Sequence, residues 1–124
     1  MPPNLLIFMM IKLAKYLLWE FQEESEQKSI KYFRSYGAYG YVIWLTVILE
    51  YLKKETISIE ALIFASEKYA SRRTVVDFIS DATKAGHLIK KISKEDRRKV
   101  FIEPSANTVS DYSTWSSKFI SNIT

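Results

Sequence analysis

The sequence predicts one mostly α-helical domain with a single small β-hairpin. Apolar residues recur at helical spacing through most of the chain, and only after Gly86 does this pattern change to two short apolar runs around a charged loop. The 124 residues suffice for one domain with its own core, and an apolar share of 48% is typical of globular proteins. We therefore expect residues 1–124 to form a single domain.

The composition excludes several classes of chemistry. The chain has no cysteine and one histidine, His87, which excludes disulfide scaffolds, thiolate metal sites and most catalytic arrangements that use imidazole. We expect no enzymatic activity, no metal and no cofactor. The apolar stretches 5–19 and 35–49 are too short, or too interrupted by lysine, to cross a membrane, and the N-terminus lacks a signal-peptide pattern. We expect a soluble, cytoplasmic protein.

The first predicted helix runs from Leu5 to about Ser25, within an N-terminal segment that we assign to residues 1–35. Its apolar stripe consists of Leu6, Met10, Leu13, Leu17 and Phe21. This stripe is long for a domain of this size, and exposed stripes of this kind usually mark interfaces. We expect a homodimer joined by these five residues, with help from Trp115 and Phe119 near the C-terminus.

The second predicted helix runs from about Tyr39 to Lys54, after a turn marked by Gly37 and Gly40. The face that we expect to point inward carries Tyr41, Leu45, Ile48 and Leu52, widened by Trp44 and Tyr51.

Two further helices are predicted from their capping residues. Ser58 precedes a helix that reaches about Lys68, and Ser71 precedes a helix that Gly86 terminates. The inward stripe of the second helix consists of Val75, Phe78, Ile79 and Ala82. The two helices therefore form a helix-turn-helix unit whose second helix exposes a polar face.

A β-hairpin follows this unit directly. Leu88–Ile92 and Val100–Ile102 are short apolar runs that predict two strands, and Pro104 ends the second. Between them lies a charged seven-residue tip, Ser93–Lys99. A helix-turn-helix followed by a basic hairpin is the winged helix-turn-helix arrangement.

A last helix begins at Ser105 or Ser110. Its apolar face carries Val109, Tyr112, Trp115, Phe119, Ile120 and Ile123. The predicted fold is therefore a winged helix-turn-helix core, residues 36–104, flanked by the N-terminal helix and by a C-terminal helix in residues 105–124.

Positive charge is concentrated in residues 71–99. This stretch contains nine basic and four acidic residues, a net charge of +5, although the whole chain carries only +4. In winged helices the second helix fits the major groove of DNA and the hairpin tip reaches the backbone or minor groove. We therefore expect sequence-specific binding to double-stranded DNA. The expected contacts come from Ser71, Arg72, Arg73, Thr74, Asp77, Lys84, Lys94, Asp96, Arg97, Arg98 and Lys99.

The segment Ser71–Ile102 resembles the recognition helix and wing of MarR-type winged-helix regulators, and the resemblance extends over about residues 40–104. The matching features are Ser71, Thr74-Val75, Gly86, Leu88–Lys91 and Asp96-Arg97-Arg98. The resemblance implies a dimeric transcriptional regulator in which Asp96 orients Arg98 toward the minor groove. It also permits a small-molecule effector, whose identity the sequence leaves open.

The chain departs from the family pattern in three respects. Asp77 and Asp81 add negative charge to the proposed DNA face, and Ile102–Ser105 replaces the usual Leu-Thr-x-x-Gly after the wing. The C-terminal segment is also shorter than the long dimer-forming helices typical of the family. The alternative function that we consider is a winged-helix module that binds a protein partner without specific DNA binding.

Overall fold

The computed structural model describes residues 3–22 and 27–123. The described residues form six helices and a two-stranded antiparallel sheet, which confirms the mostly α-helical fold with a wing. In chain order the elements are α1 Pro3–Gln22, α2 Lys28–Ser35, α3 Ala38–Leu52, α4 Ile59–Ala65, α5 Arg72–Lys84, β1 Leu88–Ile92, β2 Val100–Pro104 and α6 Ala106–Ile123.

Helix α2 is missing from the sequence-based prediction, which treats residues 1–35 as one N-terminal segment. Ile30 and Phe33 of this helix are completely buried in the core. Asp111 of α6 accepts hydrogen bonds from the N–H group and the hydroxyl of Ser29, at 3.1 and 2.6 Å, and so holds the start of α2. A helix of eight residues depends on such tertiary contacts, because its intrinsic stability is marginal.

The buried face of α3 differs from the prediction. Its buried residues are Gly40, Ile43, Trp44, Val47 and Ile48. Tyr51 and Leu52, which the sequence places on the inward face, are exposed, and Tyr41 and Leu45 are only partly buried. The reason is that α3 is apolar on nearly all sides, so that its sequence contains little contrast from which to choose the buried face.

The two glycines near the start of α3 have different roles. Gly37 precedes the helix with φ of 74°, a conformation that favours glycine, so the predicted turn is correct there. Gly40, by contrast, lies inside α3. A Cβ atom at this position would lie 2.8 Å from Cβ of Tyr36 and would also collide with the carbonyl oxygen of Phe33. Glycine at position 40 therefore permits the close approach of α2 and α3.

The predicted caps of the helix-turn-helix unit are present. The hydroxyl of Ser58 accepts a hydrogen bond of 3.1 Å from the first turn of α4, although this helix ends at Ala65 rather than at Lys68. At the end of α5, Gly86 has φ of 86°, and the N–H of His87 donates to the carbonyl of Ala82 at 2.9 Å. This is the hydrogen-bonding pattern of a glycine-terminated helix, and it leads the chain directly into β1.

The hairpin is attached to the core at its base. Leu88 pairs with Pro104 and Ile92 with Val100, so that β2 extends two residues beyond the predicted Ile102. The N–H of Ile102 donates to the carbonyl of Ile57, before α4, at 2.9 Å. Since Leu88 and Ile102 are both buried, the base of the wing is part of the core and only its outer part projects.

Helix α6 packs both against the core and against α1. Its first turn is capped by Ser105, whose hydroxyl accepts a 3.2 Å hydrogen bond from the N–H of Thr108, so Ser105 rather than Ser110 precedes the helix. Trp115 packs against Trp44 with ring centroids 5.4 Å apart. The buried side of α1 packs on the same helix, mainly through aromatic rings.

Candidate nucleic-acid interface

Helix α5 is anchored by a stripe of completely or nearly completely buried side chains. The stripe consists of Val75, Phe78, Ile79 and Ala82, as predicted. Because these side chains fix the rotation of the helix, its opposite face is held toward solvent. That face carries the exposed residues Arg73, Val76, Asp77 and Lys84. Val76 was not among the predicted site residues; an exposed apolar side chain on this face could contact the methyl group of thymine.

The start of α5 is ordered by Ser71. Its hydroxyl accepts a hydrogen bond from the N–H of Thr74 at 3.2 Å and donates to the hydroxyl of Thr74 at 3.0 Å. The first turn of α5 is thus capped by a side chain of the same chain. Both hydroxyls take part in the cap.

The two arginines of this first turn have different surroundings. Arg72 donates to both carboxylate oxygens of Glu60, on α4; the Nη1–Oε2 distance is 2.8 Å, and Nη2 contacts Oε1. This pairing lowers the pKa of Glu60 and raises that of Arg72, in each case mainly through the shared hydrogen bonds. Arg73 is 93% exposed, and its Nε lies 4.0 Å from Asp77. Sequence reasoning missed this pairing, because Glu60 lies twelve positions before Arg72 in the chain.

The wing tip has a defined conformation. Oδ1 of Asp96 accepts a 3.0 Å hydrogen bond from the N–H of Arg98 and lies 3.4 Å from Nε of the same residue, which is the contact expected from the sequence. The N–H of Ser93 donates to the carbonyl of Lys99 at 3.0 Å and closes the loop. The side chain of Arg98 remains 92% exposed. Its charge is therefore held on an ordered loop and faces solvent.

The remaining predicted DNA contacts are exposed. Lys84 lies at the end of α5, and Lys94, Arg97 and Lys99 lie on the wing tip. The predicted site residues therefore lie at the start of α5, at its end and at the wing tip.

The residues predicted to form a dimer interface fall into two sets. Leu6, Met10, Leu13 and Leu17 of α1 are each about half exposed, as an unpaired interface would be. Trp115, in contrast, is only 6% exposed, because it packs within the chain against Trp44, Trp19 and Phe119. Phe119 is half-buried by contacts of the same kind. These two residues therefore support the position of α1 from within the chain. The side chain of Phe21 lies outside the described residues.

A cavity of about 660 Å³ lies beside α1, lined partly by Leu17, Glu20, Arg34 and Tyr41. Oε1 of Glu20 is buried and has no hydrogen-bond partner, and Nη2 of Arg34 lies 3.5 Å from it. Burial, together with the charge of Glu20, raises the pKa of Tyr41 to about 12. The cavity thus combines apolar walls with the largely buried Glu20–Arg34 ion pair, in which Oε1 accepts no hydrogen bond.

No helix within residues 3–22 and 27–123 is long and apolar enough to cross a membrane. The same part of the chain contains no group of three or more side chains that could hold a metal ion.

The fold matches solved structures of transcriptional regulators. A mutant of MepR from a multidrug resistant S. aureus clinical isolate has a TM-score of 0.58 at 12% identity, covering 87% of this chain and 76% of that one. The heme sensor protein PefR from Streptococcus agalactiae, in complex with heme, has a TM-score of 0.51 at 14% identity, with 98% and 78% covered. NadR in complex with 4-hydroxyphenylacetate has a TM-score of 0.51 at 12% identity, with 97% and 70% covered.

These neighbours are MarR-family regulators, and the chain therefore has the winged helix-turn-helix fold seen in that family. At identities this low, the likeness concerns the fold alone. No protein-family model and no curated protein matches the sequence.

Proposed function

We propose that this protein is a homodimeric transcriptional regulator that binds specific sites in double-stranded DNA. In this proposal α5 enters the major groove and the wing contacts the minor groove or the backbone. The observation that carries it is the pairing of Asp96 with an otherwise exposed Arg98 on an ordered wing tip. An oriented, solvent-facing arginine on a wing suits the negative potential of a narrow minor groove.

The first turn of α5 supports the same function. Because the hydroxyl of Ser71 caps this turn, the helix presents Arg73, Thr74 and Val76 in a fixed arrangement. Arginine recognises guanine through two hydrogen bonds, and such a contact contributes about 1–3 kcal/mol of discrimination. We assign base contacts to this turn and backbone contacts to the lysines of the wing.

Selection of bound duplexes from a random pool tests the proposal. A two-fold symmetric site is expected, because half-site spacing mirrors the symmetry of a dimer. Affinity for that site should fall about a thousandfold between 50 and 200 mM salt if roughly six phosphates are contacted. Arg98→Ala should lower the preference for A·T-rich flanking sequence if the side chain enters the minor groove, and should reduce the salt dependence by about one phosphate contact if it lies on the backbone. Lys31→Ala, which removes the same charge from α2, should do neither. Failure to enrich any sequence, with weak dependence on salt, would favour the protein-binding alternative.

We propose that the dimer forms through the exposed side of α1. The half-exposed side chains Leu6, Met10, Leu13 and Leu17 support this interface, since contiguous apolar surface of this kind is usually covered by a partner. Sedimentation of the intact chain at micromolar concentration should give the mass of a dimer. A monomer under these conditions would contradict the proposal.

We further propose that the protein acts in the cytoplasm and catalyses no reaction.

We also propose that a small ligand occupies the cavity beside α1. Oε1 of Glu20 accepts no hydrogen bond, although it lies 3.5 Å from Nη2 of Arg34, and this favours a ligand that has an apolar body and a hydrogen-bond donor. Thermal unfolding with matched aromatic amines and aromatic carboxylates tests this, since a ligand that binds the folded state raises the midpoint. Stabilisation by the amines in the wild type, but not in Val42→Trp, is expected because the larger side chain would fill the cavity without changing the proposed dimer face.

A further inference from the structure

Glu60 of α4 holds one of the two arginines that begin the proposed recognition helix. Its two carboxylate oxygens face the two terminal nitrogens of Arg72. Bidentate pairing fixes the plane of a guanidinium as well as its distance. Arg73, the next residue, is almost fully exposed and has only a 4.0 Å approach to Asp77. Two chemically identical neighbours thus differ in their freedom to reach a ligand.

The position of Glu60 follows from helix electrostatics. The N-terminus of a helix carries partial positive charge, so that arginine there is unfavourable and a carboxylate is favourable. The first turn of α5 contains no acidic residue of its own, but that of α4 contains Glu60. The Glu60 carboxylate therefore offsets the partial positive charge at the N-terminus of α4. Through its pairing with Arg72, it also offsets the positive charge at the start of α5.

Stability alone is a weak explanation for this pair. Both side chains are about two-thirds exposed, and exposed ion pairs contribute little to folding. The larger consequence is that Glu60 balances the positive charge of Arg72 and directs its guanidinium toward α4.

We propose that Glu60 is a specificity-determining residue of the DNA interface, because it withholds Arg72 from the phosphates and leaves Arg73 as the contacting arginine of the first turn. This inference rests on the proposed function, and it departs from the expectation that both arginines contact DNA. A free Arg72 would add a phosphate contact that is available on any sequence. Such a contact favours random duplexes as much as the specific site, and it allows α5 to dock in less specific positions.

The test uses the full-length chain, its selected duplex and a random duplex of equal length. Glu60→Gln preserves the shape of the side chain but releases Arg72. We expect its affinity for the random duplex to rise and the ratio of specific to non-specific affinity to fall. The salt slope on random DNA should steepen by about 0.9, which is about a 3.5-fold larger loss of affinity for a fourfold increase in salt.

A second substitution assigns this effect to Arg72. In the Glu60→Gln background, Arg72→Ala should restore the wild-type slope, whereas in the wild type it should leave the slope unchanged. Glu67→Gln is the matched control, since it removes the same charge from the exposed turn after α4. An equal effect of Glu67→Gln, or a loss of slope in Arg72→Ala alone, would overturn the inference.

Titration of the Glu60 carboxyl by NMR, without DNA, separates this inference from the proposed function. The pKa of Glu60 should lie below its ordinary value in the wild type and should rise in Arg72→Ala. A Glu60 pKa that Arg72→Ala leaves unchanged overturns the inference even if DNA binds. A wild-type chain that binds no duplex overturns the proposed function, and with it the recognition role of Glu60, whatever the titration gives.

Discussion

Replacing Asp96 by alanine distinguishes two roles of the acid on the wing. Its carboxylate lies beside the proposed DNA backbone, so that simple electrostatics predicts tighter binding when the negative charge is removed. The structure shows the same carboxylate accepting hydrogen bonds from the backbone and the side chain of Arg98. If this contact prepares Arg98 for DNA, its loss should weaken binding instead.

The size of the effect follows from the two contacts. The 3.4 Å contact to Nε of Arg98 is exposed, and exposed pairs contribute about 0–1 kcal/mol. The 3.0 Å bond from the N–H of Arg98 to a partly exposed carboxylate contributes about 0.5–1.5 kcal/mol to the order of the loop. Removing the negative charge of Asp96 favours DNA binding and so offsets part of the loss of these two hydrogen bonds. We therefore expect a net loss of about 1 kcal/mol of binding free energy, which raises Kd about fivefold.

Fluorescence anisotropy with the selected duplex at fixed salt measures this change. Glu95→Ala is the matched control, because Glu95 lies exposed on the same tip and its removal deletes the same charge. We expect Glu95→Ala to tighten binding slightly and Asp96→Ala to weaken it, with unchanged circular dichroism for both. Equal tightening by both variants would refute the orienting role and leave the wing as a plain basic loop.

Three further predictions concern the core, the dimer and pH. Phe33→Ala should destabilise the domain by about 3–5 kcal/mol in denaturant unfolding, because Phe33 is completely buried, whereas Phe64→Ala, at a 73% exposed position, should change stability by less than about 0.5 kcal/mol. Leu13→Glu should shift the sedimenting species from dimer to monomer without loss of helicity, since Leu13 is exposed on α1; an unchanged dimer would place the interface elsewhere. Burial lowers the pKa of His87 below 6.5, so the unfolded chain binds more protons near and below that pH, and stability should fall as the pH falls through this range. In His87→Gln, the free energy of unfolding should depend less on pH in this range. An unchanged pH dependence would show that His87 is not the group responsible.

Features that depend on neighbouring residues were predictable from the sequence. Ser58 and Ser71 cap the helices that they were expected to cap, and Gly86 ends α5 in the left-handed conformation that its position suggested. The contact of Asp96 with Arg98 spans only two residues and was expected as well. In each case the partners lie within one turn or one loop, and local chain geometry nearly determines the contact.

Features that depend on which elements meet were decided by the tertiary structure. The sequence by itself determined the helix-turn-helix unit, the wing that follows it, the buried stripe of α5 and the concentration of basic residues in 71–99. It did not determine α2, whose two turns are ordered by burial of Ile30 and Phe33 and by capping from Asp111. It assigned Trp115 to a dimer interface, whereas packing buries this residue within the chain. Apolar and charged side chains indicate that a partner is needed but not which one, because only the packing of distant segments brings that partner within reach.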